Sequence, residues 1–338
     1  MKKIAINGFG RIGRLAFRQL FLSKDIEVVA INDLTDSKKL AYLLEFDSAQ
    51  GKFMSGKVES KEGAIIVDGK EIKILAERDP KNLPWGELGI DLVVECTGFY
   101  ADKEKSKAHL EAGAKKVIIS APASGDLKTI VFGVNHKTLS AEDTIVSAAS
   151  CTTNCLSPVA KILDEKFGVV KGLMNTIHAV TNDQRLLDLA HPEDLRRGRA
   201  AAWNIVPSKT GAAAAVGKVL PNLNGKLDGL ALRVPTITGS IVDLTVELAK
   251  NTTVDEINNA IKSAVSSDAE LGLALEYCTK EIVSQDVIGS TYGSIFDATL
   301  TRVMEVEGKQ MVKVFAWYDN ENSFTSQFIR TIKHMLSL

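Results

Sequence analysis

The sequence has no long hydrophobic run, no excess charge of either sign and little cysteine. No stretch approaches the roughly 20 apolar residues that cross a bilayer. Near the start only Ile4-Ala5-Ile6 is apolar before Asn7-Gly8, too short for the core of a secretory signal, so a cytoplasmic protein is expected. The 41 lysines and arginines offset 42 aspartates and glutamates, for a net charge of −1. That balance gives no basic footprint, so neither nucleic acid nor a membrane is expected as a primary partner. The four cysteines, at 96, 151, 155 and 278, contain no Cys-x-x-Cys pair and suggest no metal site. They read as reduced thiols. Internal repeats and low-complexity segments are also missing. What is left is an ordinary globular composition, 45% hydrophobic and 25% charged, over 338 residues, a length that suits two domains.

The first half reads as alternating strand and helix. Lys3-Ile4-Ala5-Ile6 is a short buried strand, followed by Gly8-Phe9-Gly10-Arg11-Ile12-Gly13 and a helical pattern through Leu15, Phe17 and Leu20. A second strand, Ile26 to Asn32, ends at Asp33. Strand, Gly-x-Gly-x-x-Gly, helix, strand and acid form the dinucleotide-binding pattern. The glycines permit the tight turn, the close approach of a pyrophosphate and the packing of helix on strand. Gly8, Gly10 and Gly13 are therefore candidate cofactor contacts, and Asp33 is placed to accept from the adenosine ribose. A carboxylate there repels a 2′-phosphate, which favours NAD. Residues 57–76 alternate around Gly63 and Gly69, the pattern of antiparallel hairpins appended to a sheet.

The chemistry points to Ser150-Cys151-Thr152-Thr153-Asn154-Cys155, which leads into an apolar helical run. A cysteine at a helix N-terminus ionises more readily, and the thiolate is the nucleophile. His178, on the strand-like Asn175 to Thr181, could pair with it as a base. It could equally be a packed core histidine. Pro158 falls inside the cysteine helix and should remove a hydrogen bond there. Beyond it strands outnumber helices, which suggests a largely antiparallel sheet.

Taken together, six segments resemble phosphorylating glyceraldehyde-3-phosphate dehydrogenases over essentially the whole chain. They are Ile6 to Arg14, Ala149 to Leu156, His178 to Thr181, Pro207 to Ala213, Arg233 to Thr236 and Trp317 to Glu321. The resemblance implies that Cys151 captures the aldehyde as a hemithioacetal and that His178 is the base. Hydride leaves to NAD, and inorganic phosphate then cleaves the thioester to give 1,3-bisphosphoglycerate. It further implies that Thr181 and Arg233 hold the substrate's phosphate, and that Ser150, Thr152, Arg197, Thr210 and Gly211 hold the attacking phosphate. Asn320 is implied to hold the nicotinamide carboxamide, Arg11 and Ile12 to contact the pyrophosphate, and Arg78, Thr97 and Ser120 to line the cofactor cleft. The implied architecture is α/β. A Rossmann domain over residues 1–150 is joined by a C-terminal helix at 320–338, and an α/β catalytic domain with a mainly antiparallel sheet covers 151–319. A homotetramer is implied, with the arginine-rich stretch from about 181 to 203 at its centre.

Three departures stand out. Asn322-Ser323-Phe324 replaces the common Trp-Gly-Tyr, Thr236 to Ser240 replaces Thr-Pro-Asn-Val-Ser, and Ala190 stands where many relatives have proline. Phe324, lacking the phenol hydroxyl, is expected to weaken a contact near the nicotinamide. The rival readings are an erythrose-4-phosphate dehydrogenase, which uses water in place of phosphate, and a redox or binding protein on the same scaffold.

Overall fold

Strand β1 (Lys2–Asn7) is exposed at its two lysines and buried over its last four residues, as a central strand covered on both faces must be. The computed structural model that contains it describes residues 1–338. β1 leads into helix α1 (Arg11–Phe21), whose Leu15, Ala16, Phe17 and Leu20 are buried at 2% exposure or less. The alternation continues with β2 (Ile26–Asn32), α2 (Ser37–Glu45), β3 (Val58–Lys61), β4 (Ala64–Val67) and β5 (Lys70–Leu75). It closes with α3 (Trp85–Leu88), β6 (Leu92–Glu95), α4 (Lys103–Glu111), β7 (Lys116–Ile119) and β8 (Ile145–Ser147). The eight strands lie in the order β3-β4-β5-β2-β1-β6-β7-β8. From β5 to β8 every pair is parallel, and β3, β4 and β5 pair antiparallel, the hairpins expected for residues 57–76. β1 has β2 on one side and β6 on the other, so the strand order reverses there and opens a crevice at the carboxyl ends of these strands.

Two glycines make this turn possible. Gly8 has φ +90°, and a Cβ on it would lie 2.7 Å from the Thr97 backbone nitrogen. A Cβ on Gly13 would lie 2.1 Å from the Gly8 carbonyl oxygen, so α1 can approach β1 this closely only without a side chain.

The second half begins with α5 (Cys151–Phe167), which runs on through Pro158. β9 (Val169–Ala179), β10 (Val206–Lys209), α6 (Ala212–Val219), β11 (Leu227–Val234) and β12 (Ser240–Leu248) follow. Then come α7 (Val254–Ser267), α8 (Ala269–Ala274), β13 (Leu275–Cys278), β14 (Ser294–Asp297), β15 (Arg302–Val306), β16 (Lys309–Tyr318) and α9 (Asn322–Ser337). The sheet order is β10-β11-β9-β12-β16-β14-β13, with β15 on β16. It is mainly antiparallel, as expected, apart from the parallel pairs β11–β9 and β13–β14. One face of β12, Ser240, Val242, Leu244 and Val246, is buried, the period-two pattern of a half-covered strand. Val242, Leu244 and Val246 share a core with Leu156, Val159 and Leu163 of α5.

The chain divides into two compact units. Met1–Ile130, His136–Ala149 and Phe328–Leu338 form the first, and Val131–Asn135 and Ser150–Gln327 the second. No helix is long and apolar enough to cross a membrane.

Candidate active site

In the first unit, α1 begins at Gly10, which offers no side-chain cap, and no acid lies in its first turn. No side chain of the helix itself therefore occupies its positive end, which can face an anion. A Cβ on Gly10 would meet nothing within 4 Å, so the glycine opens space that a pyrophosphate can fill. Ile12 is half-buried in the same turn. Asp33 is fixed at the end of β2: Phe9 N–H donates to its Oδ2 at 2.8 Å and Thr35 N–H to its Oδ1 at 2.9 Å. Arg11 makes a two-pronged pair with Asp47, at 2.5 and 3.0 Å, which holds the Asp47 carboxyl below its usual range against the opposing effect of burial. The Arg78 carbonyl accepts from Tyr100 OH at 3.2 Å, Ser120 N–H donates to the Glu95 carbonyl at 2.9 Å, and Thr97 is tied through its N–H and hydroxyl to the Glu95 carboxylate. The dinucleotide pattern is therefore met by a cradle with room for the ligand at its glycines.

The second unit brings Cys151 and His178 together. The chain enters α5 through Ala149, whose φ of +61° is left-handed, a conformation that costs a residue with a Cβ of order 1 kcal/mol. Ser150 then caps the helix, its Oγ accepting from Thr153 N–H at 3.0 Å. Cys151 is the first helical residue. Its Sγ lies 3.4 Å from His178 Nε2, at the far end of β9. Nδ1 of His178 is 2.7 Å from the Ala179 carbonyl and 2.8 Å from Arg233 Nη1. Arginine only donates, so Nδ1 cannot serve both at once. A proton on Nδ1 satisfies Ala179, and the same carbonyl also accepts from Arg233 Nη1 at 3.3 Å. That tautomer leaves Nε2 bare toward the sulfur, the arrangement of a base.

The electrostatics differ from the sequence expectation of a ready thiolate. Burial pushes the Cys151 thiol up, opposed by the Arg233 charge and by hydrogen bonds at Thr152 and the helix start. Burial, reinforced by Arg233, pushes His178 down to about 3, against its hydrogen bond to Ala179. The resting pair is a neutral thiol and a neutral imidazole, poised for the proton to move from Sγ to Nε2 as the sulfur attacks. Cys155, one turn on, lies against Ser294 Oγ and the Ala316 carbonyl, fully buried, and its thiol is pushed far up. It is an inert core residue.

Of the anion-binding candidates, Arg233 lies directly against this pair. Arg233 and His178 are register partners on β11 and β9, which is why the guanidinium reaches the imidazole. Thr153 Oγ1 donates to the Ala212 carbonyl at 3.3 Å, tying the first turn of α5 to that of α6. Gly211 caps α6 without a side chain, and Thr210 Oγ1 accepts from Ala212 N–H at 3.2 Å. Two helix N-termini therefore converge beside Ser150, Thr210 and Gly211. The Thr152 hydroxyl turns inward to Tyr318 OH at 2.9 Å, leaving its backbone at the helix start. Thr181 is exposed, its N–H held by Gln184 Oε1 at 2.8 Å. Arg197 reaches Asp183 at 3.3 Å from the loop that follows. Arg233 Nε is buried without a hydrogen-bond partner, whereas Arg197 is turned to acids of its own loop, its Nε 3.7 Å from Asp194 Oδ2. The buried Arg233 Nε is a donor that an anion would complete.

Asn320 is buried, and its amide oxygen accepts from Ser240 Oγ at 2.9 Å and Gly239 N–H at 3.2 Å. Thr238 Oγ1 donates to Asp319 at 2.7 Å and lies 3.2 Å from the same Asn320 oxygen. With its oxygen so engaged, Asn320 presents its NH2 as a donor.

The chain matches known families over most of its length. A family model for "Glyceraldehyde 3-phosphate dehydrogenase, NAD binding domain" matches residues 2–103, and one for the C-terminal domain matches 150–320. The glyceraldehyde-3-phosphate dehydrogenases of Clostridium pasteurianum and Clostridium acetobutylicum are each 58% identical over 339 residues, covering 100% of this chain and 99% of each relative. That of Streptococcus pyogenes is 55% identical over 338 residues, 99% of this chain and 98% of its own. The chain belongs to the glyceraldehyde-3-phosphate dehydrogenase family.

Within that family, the stretch Thr236 to Ser240 departs from the common pattern yet is built into the site through Thr238, Gly239 and Ser240. Ser240 also accepts from Ala179 N–H at 3.0 Å, so one hydroxyl links Asn320 to the strand end that carries His178. Sequence reasoning did not single out Ser240 or Thr238. It also gave no role to Tyr318, whose buried phenol sits between Thr152 and Thr176 at 2.9 and 2.8 Å and edge-on to the His178 ring. Burial keeps that phenol protonated well past its ordinary range. Tyr318 lies inside the Trp317 to Glu321 motif, so the signal was present, but only the fold reveals which hydroxyls it meets. Phe324 is buried, with no hydroxyl to place.

Proposed function

We propose that this protein is a glycolytic, cytoplasmic enzyme that oxidises D-glyceraldehyde 3-phosphate with NAD and inorganic phosphate to 1,3-bisphosphoglycerate. The observation that carries the reading is Cys151 Sγ at 3.4 Å from His178 Nε2, with Arg233 Nη1 2.8 Å from His178 Nδ1 and its Nε buried without a hydrogen-bond partner. The first unit holds NAD through the glycine cradle and Asp33, and the second carries out the chemistry.

Cys151 Sγ adds to the aldehyde carbon as its proton passes to His178 Nε2, and the imidazolium returns that proton to the carbonyl oxygen to give the hemithioacetal and a neutral His178. The Cys151 N–H and the positive end of α5 stabilise the oxygen as charge develops on it. His178 then accepts the hydroxyl proton, and the hemithioacetal becomes a thioester bound to Cys151. NAD, when bound, supplies the two-electron acceptor for this oxidation. Phosphate, held by Arg197 and the converging starts of α5 and α6, attacks the thioester carbon; the C–S bond breaks, the thiolate leaves and the acyl phosphate is released. Thr181 and Arg233 hold the substrate's own phosphate, which orients its aldehyde on Cys151. The loop from 181 to 203 exposes Leu195 at 94% and Trp203 at 87%, an apolar surface that suits burial in a homotetramer.

The test compares glyceraldehyde 3-phosphate with erythrose 4-phosphate, and NAD with NADP. The triose phosphate with NAD should be preferred, and the Asp33 carboxylate should set kcat/KM for NAD about 100-fold or more above NADP. A NAD to NADP ratio near one contradicts the role of Asp33. Preference for erythrose 4-phosphate without need of phosphate moves the assignment to the hydrolytic sister activity.

A further inference from the structure

Beneath the glycine cradle lies a buried polar network to which the mechanism above gives no role. Asn7, Glu95 and His109 are each exposed by 1% or less. Trp85 Nε1, which can only donate, donates to His109 Nδ1 at 3.1 Å. The ring proton is therefore on Nε2, which donates to Glu95 Oε2 at 3.1 Å. Asn7 Nδ2 donates to the same oxygen at 2.6 Å. The other oxygen, Oε1, accepts from the N–H and hydroxyl of Thr97 at 2.7 and 2.5 Å. Four donors thus converge on Glu95, and both its oxygens are acceptors. The network continues from Asn7 Oδ1, which accepts from Asn32 Nδ2 at 2.7 Å. Asn32 in turn holds the backbone of Glu77 from both sides, donating to its carbonyl and accepting from its N–H at 2.9 Å each.

Each tethered position borders a residue assigned above to the cofactor. Asn7 precedes Gly8, Asn32 precedes Asp33, Glu77 precedes Arg78, and Glu95 holds Thr97 directly. The Gly8 turn in turn packs on Thr97, whose nitrogen a Gly8 Cβ would crowd at 2.7 Å. One carboxylate therefore fixes four turns contributed by β1, β2, β6 and the loop after β5.

We propose that Glu95, oriented by His109, is a positioning residue that preforms the dinucleotide cleft, so that NAD binds without first ordering these turns. The proposal rests on the assignment of the first unit to NAD. A carboxylate suits the role because it accepts on both oxygens at once. The isosteric amide of Glu95→Gln must turn its NH2 either to the Thr97 pair or to the Asn7 and His109 pair, setting donor against donor. His109→Gln keeps an N–H for Glu95 and an oxygen for Trp85, whereas His109→Leu keeps neither.

The test is calorimetric titration of NAD into the full-length protein and these three variants, with thermal unfolding of each and the iodoacetamide labelling rate of Cys151. Glu95→Gln and His109→Leu should raise the NAD Kd by about 10-fold or more, a shift of roughly 1.4 kcal/mol. His109→Gln should stay within about threefold of wild type, and Cys151 labelling should be unchanged in all three, since only the cradle is loosened. A folded Glu95→Gln that binds NAD as tightly as wild type overturns the proposal. If Glu95→Gln does not fold, the two His109 variants decide: equal NAD affinity in both overturns it, and weak binding by His109→Leu alone supports it. Wild type that fails to bind NAD would overturn the underlying assignment itself.

Discussion

Cys151→Ser should lose aldehyde oxidation almost entirely, with kcat falling by about 10⁴-fold or more. A serine hydroxyl at the start of α5 fits the space of the thiol but is a far weaker nucleophile, and His178 is ill-suited to remove its proton. Burial and Arg233 hold the imidazole down near about 3, so it is a weak base toward an alcohol. A thiol is acidic enough for the same imidazole to assist, even though burial pushes Cys151 above its ordinary range. Serine would also form an oxygen ester, which retains less driving force for phosphorolysis than a thioester. The cradle in the first unit contains no part of Cys151, so NAD affinity should persist. Steady-state rates and calorimetric NAD binding on one preparation check both halves. A serine variant with appreciable phosphate-dependent turnover contradicts covalent capture at position 151.

His178→Asn should reduce kcat by about 10²- to 10⁴-fold, the usual contribution of a positioned base. The pH dependence fixes the sign. Because the folded imidazole is depressed to about 3, it is neutral throughout the mildly acid and neutral range, and its protonation cannot produce an acid limb there. The Cys151 thiol is raised, so the reacting state is the neutral thiol beside the neutral imidazole, and the wild-type rate should vary little between about pH 6 and about pH 8. The asparagine variant loses the proton acceptor 3.4 Å from Sγ and must react as the free thiolate, so its rate should rise with pH across the same window. Iodoacetamide labelling of Cys151 against pH reads the same change without turnover. An unmoved labelling profile would show that His178 does not take the thiol proton.

The parts of this molecule that sequence makes visible are those governed by local rules. Gly8 and Gly13 are legible because a positive φ and a 2.1 Å clearance each exclude a side chain. The hairpins at 57–76 are legible because alternation and paired turn glycines repeat within twenty residues. The start of α5 is legible because Ser150 is a preferred cap. What sequence does not carry is register between distant strands. Arg233 meets His178 because β11 pairs parallel with β9, a pairing 55 residues apart that neither segment encodes alone. The same holds for Ser240 on Asn320 and for Glu95 on Asn7. The thiol's raised pKa was also hidden, since a helix N-terminus argues for a thiolate while the burial that outweighs it is a tertiary fact.

The most direct test is a single turnover with NAD and glyceraldehyde 3-phosphate in the absence of phosphate, followed by addition of phosphate. The thioester mechanism predicts a rapid burst of NADH stoichiometric with Cys151, then a stall. Acid quenching at the stall should trap an acyl adduct on the peptide that contains Cys151, and phosphate should release it and restart turnover. Steady NADH formation without phosphate, or a burst with no adduct on that peptide, would contradict it.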